Sequence, residues 1–294
     1  APRSQCGGRE FDPHPLHQHS LQTEPLGRWP SARPPKSVVL FENKPETTLT
    51  PTPSPTKVAL VIGAGDSTGG AIAKRFAAGG YTACMTRRDS DKLKPLIESI
   101  EATGGKAHGF GSDARKEEEV IALFDTIERD IGPVEVLVFN IGANVPTPVV
   151  DETARKYYKI WEMACFGGFL NGREAARRMS ERGRGTIIFT GATAALRGSA
   201  NFAAFAGAKH ALRALSQSMA RELGPKNIHV AHVVVDGAID TEFIRTNFPE
   251  KYATKDQDGI LNPDHIAENY WYLHTQPRDA WTYELDLRPW NERW

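Results

Sequence analysis

From residue 57 onward, short and nearly continuous apolar runs alternate with amphipathic stretches, and this alternation restricts the fold more than any other feature of the chain. A run without polar alternation is a strand buried on both faces, and such strands belong to parallel sheets covered by helices. Residues 57–65 (KVALVIGAG) read as a first strand entering a glycine turn, followed by a helix through Ala71, Ile72, Phe76 and Ala77. Further strands are expected at 81–86, 106–114 (weaker), 135–143, 185–191 and 229–237. Helices are expected around 155–179 and about 206–223, the latter with Leu212, Leu215, Met219 and Leu223 on one stripe. Near the end, Trp281, Tyr283, Leu285 and Leu287 alternate with polar residues, as in an edge strand. No internal repeat is evident. About seven strands with intervening helices predict one α/β domain, a doubly wound parallel sheet over residues 57–294, and a hydrophobic content of 40% supplies its core.

Residues 1–56 differ in character, holding 11 of the 20 prolines. Proline fixes φ and removes a donor, so the segment TLTPTPSP at 48–55 reads as neither helix nor paired strand, and the whole as a flexible or extended arm. His14, His17 and His19 lack the carboxylate or cysteine cluster that would complete a metal site, so no metal is expected. The apolar patch VVLF at 38–41 is where the arm would dock on the body or on a protein partner. Lys+Arg and Asp+Glu are both 36, which argues against nucleic acid and membrane surfaces as partners. No apolar run approaches the ~20 residues of a membrane span. Three widely spaced cysteines, Cys6, Cys84 and Cys165, form no disulfide framework and fit a reducing compartment. A chain that begins with Ala is expected to be processed or a fragment. It is expected in the cytoplasm, or in an organelle if residue 1 follows a removed targeting peptide, although Glu10, Asp12 and Glu24 depart from the acid-poor pattern of such peptides.

The glycine turn Gly63-Ala64-Gly65-Asp66-Ser67-Thr68-Gly69-Gly70 lies between the first strand and the first helix. There it can present backbone N–H groups and a helix N-terminus to a pyrophosphate. The end of the second strand then discriminates between nucleotides, because a carboxylate at that point binds a ribose 2′-hydroxyl and repels a 2′-phosphate. Here the residues are Thr86-Arg87-Arg88, and two guanidinium groups suit a phosphate by charge and by fork geometry, with Asp89 placed to neutralise one of them.

Taken together these motifs resemble the short-chain dehydrogenase/reductase family over roughly residues 57–290. The family pattern Gly-x-x-x-Gly-x-Gly maps onto Gly63, Ser67 and Gly69, with Ser67 in place of the middle glycine. Asn-Asn-Ala-Gly is similar to Phe139-Asn140-Ile141-Gly142, keeping the asparagine that ties neighbouring strands. Asp113 stands where the family has an aspartate beside the adenine, and Thr241 matches a threonine at the nicotinamide end, with Asp236 replacing the preceding proline. The resemblance implies a Rossmann-type fold and a cofactor set of Gly63, Ser67, Thr68, Gly69, Arg87, Arg88, Asp113, Asn140, Gly142, Lys209 and Thr241, with NADP(H) preferred over NAD(H).

The catalytic positions that the resemblance implies have changed. In the family a serine polarises the substrate carbonyl, a tyrosine transfers the proton, a lysine lowers the tyrosine pKa and holds the nicotinamide ribose, and an asparagine supports a water relay. The corresponding residues here are Ala192, Phe205, Lys209 and Ala164 (or Cys165, one residue on). Only Lys209 is kept, and each replacement lacks the polar group. No tyrosine lies between Tyr158 and Tyr252 to take over. Thr190 and Thr193 are poor acids; His210 follows Lys209 on the helix and so points elsewhere; Asp236 and Asp240 would need strongly raised pKa values.

Two functions follow. One is an NADP(H)-dependent oxidoreductase acting on a small carbonyl or activated alkene with a non-standard proton source. The other is a catalytically inactive nucleotide-binding subunit or sensor in a larger assembly. The segment 242–262, with Phe243, Ile244, Phe248 and Tyr252, suggests an apolar lid. Trp281, Trp290 and Trp294 are expected to bury against the core or a neighbouring subunit. By the resemblance the protein is expected to be a homo-oligomer, with the stripe on 206–223 available for its packing.

Overall fold

The computed structural model describes residues 56–293. The expectations for residues 1–55, including Cys6, the three histidines and the 38–41 patch, and for Trp294, concern residues outside that range. Seven parallel strands form one sheet in the order β3-β2-β1-β4-β5-β6-β7. They are β1 (Val58–Ile62), β2 (Thr82–Arg87), β3 (Lys106–Gly111), β4 (Val134–Phe139), β5 (Gly185–Thr190), β6 (Ile228–Val235) and β7 (Glu284–Leu287). The helices are α1 (Thr68–Ala78), α2 (Lys94–Glu101), α3 (Glu117–Asp130), α4 (Ala154–Trp161), α5 (Gly167–Arg182), α6 (Ala203–Leu223), α7 (Glu242–Asn247), α8 (Pro249–Tyr252) and α9 (Pro263–Thr275). Every strand and helix expected from the pattern is present, and β7 is an edge strand, with β3 at the opposite edge.

The absence of alternation in the strands has its cause in two-sided burial. In β1, Ala59 and Val61 face one core with Phe76, Ile266 and Tyr270, while Val58, Leu60 and Ile62 face the other with Phe124, Phe139 and Phe189. At ~25 cal/mol per Å² of apolar surface removed from water, these central strands are strongly stabilised in the middle of the sheet.

Two expectations need correction. The helix expected over 155–179 contains a π-helical turn, Glu162–Phe166, between α4 and α5, so Ala164 and Cys165 sit on a locally widened coil. The stripe on α6 is used inside the chain: Leu212, Met219 and Leu223 are buried with Phe139 and Phe189, and Leu215 packs on the same cluster, so it is not free for another subunit. Of the terminal tryptophans, Trp281 stacks on His229 (centroids 4.8 Å, planes at 2°), whereas Trp290 is 78% exposed and donates from Nε1 to Gln257 O. Among the described residues no helix is long and apolar enough to cross a membrane, and no three His, Cys, Asp or Glu side chains converge as a metal site.

Buried histidines give the fold an acid limit. His232 lies under α6, paired with Glu284 Oε2 at 3.0 Å, and His274 bridges Tyr81 (2.6 Å) and Thr186 (2.9 Å). Burial pushes both down to about 4. In the unfolded chain they titrate near the ordinary value of about 6.5, so between these limits the unfolded state binds more protons. Stability is therefore complete above about pH 6.5 and falls as pH drops toward 4, by about 3 kcal/mol per histidine at most. Thermal unfolding measured from pH 7 to 4 is expected to follow that course, with a shallower fall for His232→Gln; an unchanged slope in the variant would remove His232 as a cause.

Candidate functional site

The strand order reverses between β1 and β4, and the cleft opens at their carboxyl ends, where doubly wound sheets bind ligands. Its volume is about 580 Å³, and its walls come from the glycine turn, the ends of β4, β5 and β6, and the start of α6. Gly63 has φ +84°, a conformation suited to glycine, and a Cβ at Gly69 would lie 2.6 Å from Gly63 O and 2.9 Å from Ala64 Cα. Asn140 donates from Nδ2 to Gly63 O at 3.3 Å and from its backbone N–H to Ile62 O at 2.9 Å, tying β4 to β1 as expected.

Ser67 and Thr68 stand at the start of α1, and both hydroxyl oxygens are buried without a hydrogen-bond partner. Unpartnered buried polar atoms at a helix N-terminus are costly unless a ligand completes them. With the close approach at Gly69, they make the turn a cradle that fits the diphosphate of a nicotinamide nucleotide. Thr241 also lines the cleft, and its Oγ1 caps α7 by accepting from Ile244 N at 3.1 Å.

A recess of about 360 Å³ continues from the cleft between Thr86, Arg87, Arg88, Ser112, Asp113 and Arg115. Arg87 donates to Asp66 Oδ1 (3.2 Å) and Lys92 O (3.4 Å), while Arg88 is exposed and has no hydrogen bond or ion pair among the described residues. Asp89 neutralises neither arginine: it accepts from Asp91 N and pairs with Lys92 at 3.6 Å, and the acid on Arg87 is Asp66 from the glycine turn. Asp113 reaches the recess with its carboxylate held by Arg115 at 2.8 and 2.5 Å. That pairing, foremost its hydrogen bonds, lowers the Asp113 pKa to about 2. Arg115, a third guanidinium here, was not anticipated, because a lone arginine two residues past Asp113 reads as surface.

At the opposite end Lys209 is buried and donates to Thr190 O (2.7 Å) and Ile141 O (3.0 Å). Burial lowers it to about 8, a fall partly opposed by the Cys165 thiol. Its Nζ lies 5.9 Å from the centre of the Phe205 ring. Ala164, Cys165, Phe205 and Ala192 belong to one apolar cluster with Ala143 and Ala194.

The alternative acids are turned elsewhere. Asp236 is wholly buried, accepts from Thr193 Oγ1 and pairs with Arg197 (3.4 Å) and Arg288 (3.8 Å), outside the cleft lining. Asp240 pairs with Lys255 at 2.8 Å. Thr190 Oγ1 is shared with Tyr270 OH at 2.8 Å, and His210 is exposed and hydrogen-bonded to Ala206 O. In the 242–262 segment Phe243 and Phe248 are exposed and tilted together at 6.0 Å. Asn144, Ser199 and Phe202 also line the cleft; sequence reading missed them because they lie in loops outside any motif.

Comparison with known proteins agrees with this geometry. Residues 57–251 match the short chain dehydrogenase family model. The 7alpha-hydroxysteroid dehydrogenase of Escherichia coli K12 is 30% identical over 190 residues, 65% of this chain and 74% of that protein. The crystal structure of a short-chain dehydrogenase from Rhodopseudomonas palustris is 47% identical, covers 81% of this chain and 100% of its own, and superposes with a TM-score of 0.68. A metagenomic short-chain oxidoreductase in complex with NADP is 26% identical with a TM-score of 0.68, covering 79% of this chain and 96% of its own. The chain belongs to the short-chain dehydrogenase/reductase family.

Proposed function

We propose that the protein is an NADP(H)-dependent oxidoreductase that acts on a small carbonyl or activated alkene without the tyrosine-based proton transfer of its family. The observation that carries the reading is the nucleotide cradle: the Ser67 and Thr68 hydroxyls and the Arg88 guanidinium, all without partners among the described residues, and the Gly69 approach, in one continuous groove. When bound, the reduced nicotinamide supplies a hydride. The chain's residues hold and orient: Ser67, Thr68 and the α1 N-terminus take the diphosphate, Arg87 and Arg88 the 2′-phosphate, and Lys209 the nicotinamide ribose. Lys209 is the acidic cleft side chain beside Phe205, but its Nζ donates to Thr190 O and Ile141 O, so the proton comes from water. General acid–base catalysis contributes about 10²–10⁴-fold, and the turnover of this chain is correspondingly low.

The apolar cluster around Lys209 also supports a second reading, a nucleotide-binding subunit or sensor with residues 1–56 lying along a protein partner. A homo-oligomer fits either reading. The face it would use is the aromatic row that runs from α4 through the π-helical turn to α5, where Trp161 stacks on Phe166 (5.9 Å) and Phe166 on Phe169 (6.1 Å), with Tyr158 and Phe169 exposed. Calorimetric titration with NADPH and NADH, followed by oxidation of bound NADPH against ketones and enones, tests the proposal. NADPH binding with slow turnover is expected; binding without turnover selects the sensor, and no binding removes both.

A further inference from the structure

The substrate end of the cleft carries more information than the catalytic positions alone. Among the residues lining the cleft only Asp66 and Lys209 are charged. Asp66 lies at the diphosphate end, paired with Arg87, and Lys209 is buried with Nζ committed to two backbone carbonyls. Ala192 and Ala194 pack with Phe205 in one apolar cluster, and Phe202 and Ile239 also line the cleft, so an anionic substrate would lose its hydration there and find as counter-charge only Lys209, whose Nζ is held by the two carbonyls. The hydroxyls of Thr190, Thr193 and Thr241 are engaged by Tyr270, Asp236 and Ile244 N, and two further uncharged polar groups line the cleft. Asn144 follows β4, and Ser199 lies between β5 and α6; their loops are joined by the Thr147 N–H donating to Asn201 O at 2.7 Å. Neither side chain makes a hydrogen bond among the described residues, and both are exposed at the cleft mouth, where a ligand can reach them.

We propose that this site takes a neutral, largely apolar substrate whose single oxygen is bound by the Asn144 amide and the Ser199 hydroxyl. The inference rests on the oxidoreductase reading above and specifies its substrate class. The pair performs the binding part of what the missing serine and tyrosine do elsewhere in the family: Asn144 Nδ2 and Ser199 Oγ donate to the oxygen, and the apolar cluster receives the carbon body. Because Ser199 is open to solvent, water is at hand to protonate the oxygen once it carries charge.

Binding of three probes to the full chain, measured by ligand-observed NMR with and without NADP+, tests this. Benzylacetone offers a ketone on an apolar body, levulinate a ketone beside a carboxylate, and butylbenzene the body without oxygen. Benzylacetone is expected to bind at least tenfold more tightly than levulinate. Asn144→Ala and Ser199→Ala are each expected to weaken it about two- to tenfold, in keeping with the loss of one hydrogen bond, and to leave butylbenzene unchanged. Levulinate bound as tightly as benzylacetone overturns the substrate class. A double variant that binds benzylacetone as well as the unmodified chain overturns the oxygen-binding pair, and no binding of benzylacetone overturns both. NADP+ binding, titrated separately, scores the nucleotide reading, so failure of one is distinguishable from failure of the other.

Discussion

Phe205→Tyr combined with Ala192→Ser is expected to raise the single-turnover rate of ketone reduction by about 10²-fold over the unmodified chain, the lower part of the range for general acid–base catalysis. Phe205 is only 8% exposed, yet it lines the cleft, and the position for a Cβ on Gly142 lies 3.9 Å from its ring carbon Cε2. A hydroxyl added at the para carbon joins a cleft that Lys209 also lines, with its Nζ 5.9 Å from the ring centre, and a cation nearby favours the phenolate. Ala192 lines the same cleft, so a serine hydroxyl there can polarise the carbonyl that the tyrosine protonates. Phe205→Tyr alone is expected to recover part of the gain, since a buried hydroxyl without a second polar group is only partly compensated. Oxidation of pre-bound NADPH followed by fluorescence reads the effect directly. A pair of variants that binds NADPH normally but gains nothing would mean that α6 does not present residue 205 to the reacting atoms.

This expectation depends on features that were unequally legible in the sequence. The strands could be read because two-sided burial leaves an uninterrupted apolar run, as in Val58–Ile62, and the glycine turn because Gly63 and Gly69 are required by backbone geometry. The positions of Phe205 and Lys209 followed from the resemblance to the family, and the structure brings both into the cleft with Ser67, Asn140 and Thr241. The partners of charged side chains could not be read, because pairing depends on how loops return in space. Asp89 is adjacent to the arginines in sequence, yet Asp66, 21 residues before Arg87, is the acid that reaches it. Asp236 is next to the nicotinamide end in sequence but is drawn away by Thr193, Arg197 and Arg288. The α6 stripe shows the same limit from the apolar side: periodicity specifies a buried face but not which surface buries it, and here the chain's own sheet does so.

Arg87→Ala with Arg88→Ala is expected to weaken NADPH binding about 10- to 100-fold while changing NADH binding by no more than about threefold, because hydrogen bonds to charged groups contribute about 1.5–3 kcal/mol and only NADPH carries the 2′-phosphate. The two arginines are not equivalent. Arg87 already shares its charge with Asp66 at 3.2 Å and spends a donor on Lys92 O, whereas Arg88 is exposed and unpaired among the described residues. Arg88→Ala alone is therefore expected to account for most of the loss, and Asp66→Asn to strengthen NADPH binding by freeing Arg87. Salt distinguishes charge from packing: the affinity gap between NADPH and NADH is expected to narrow as ionic strength rises and the Debye length shrinks from about 10 Å at 0.1 M toward about 3 Å at 1 M. Calorimetric titrations at both salt concentrations measure this. Equal weakening of the two nucleotides would show that the arginines shape the recess without reading the phosphate, and the site would then be one for NAD(H).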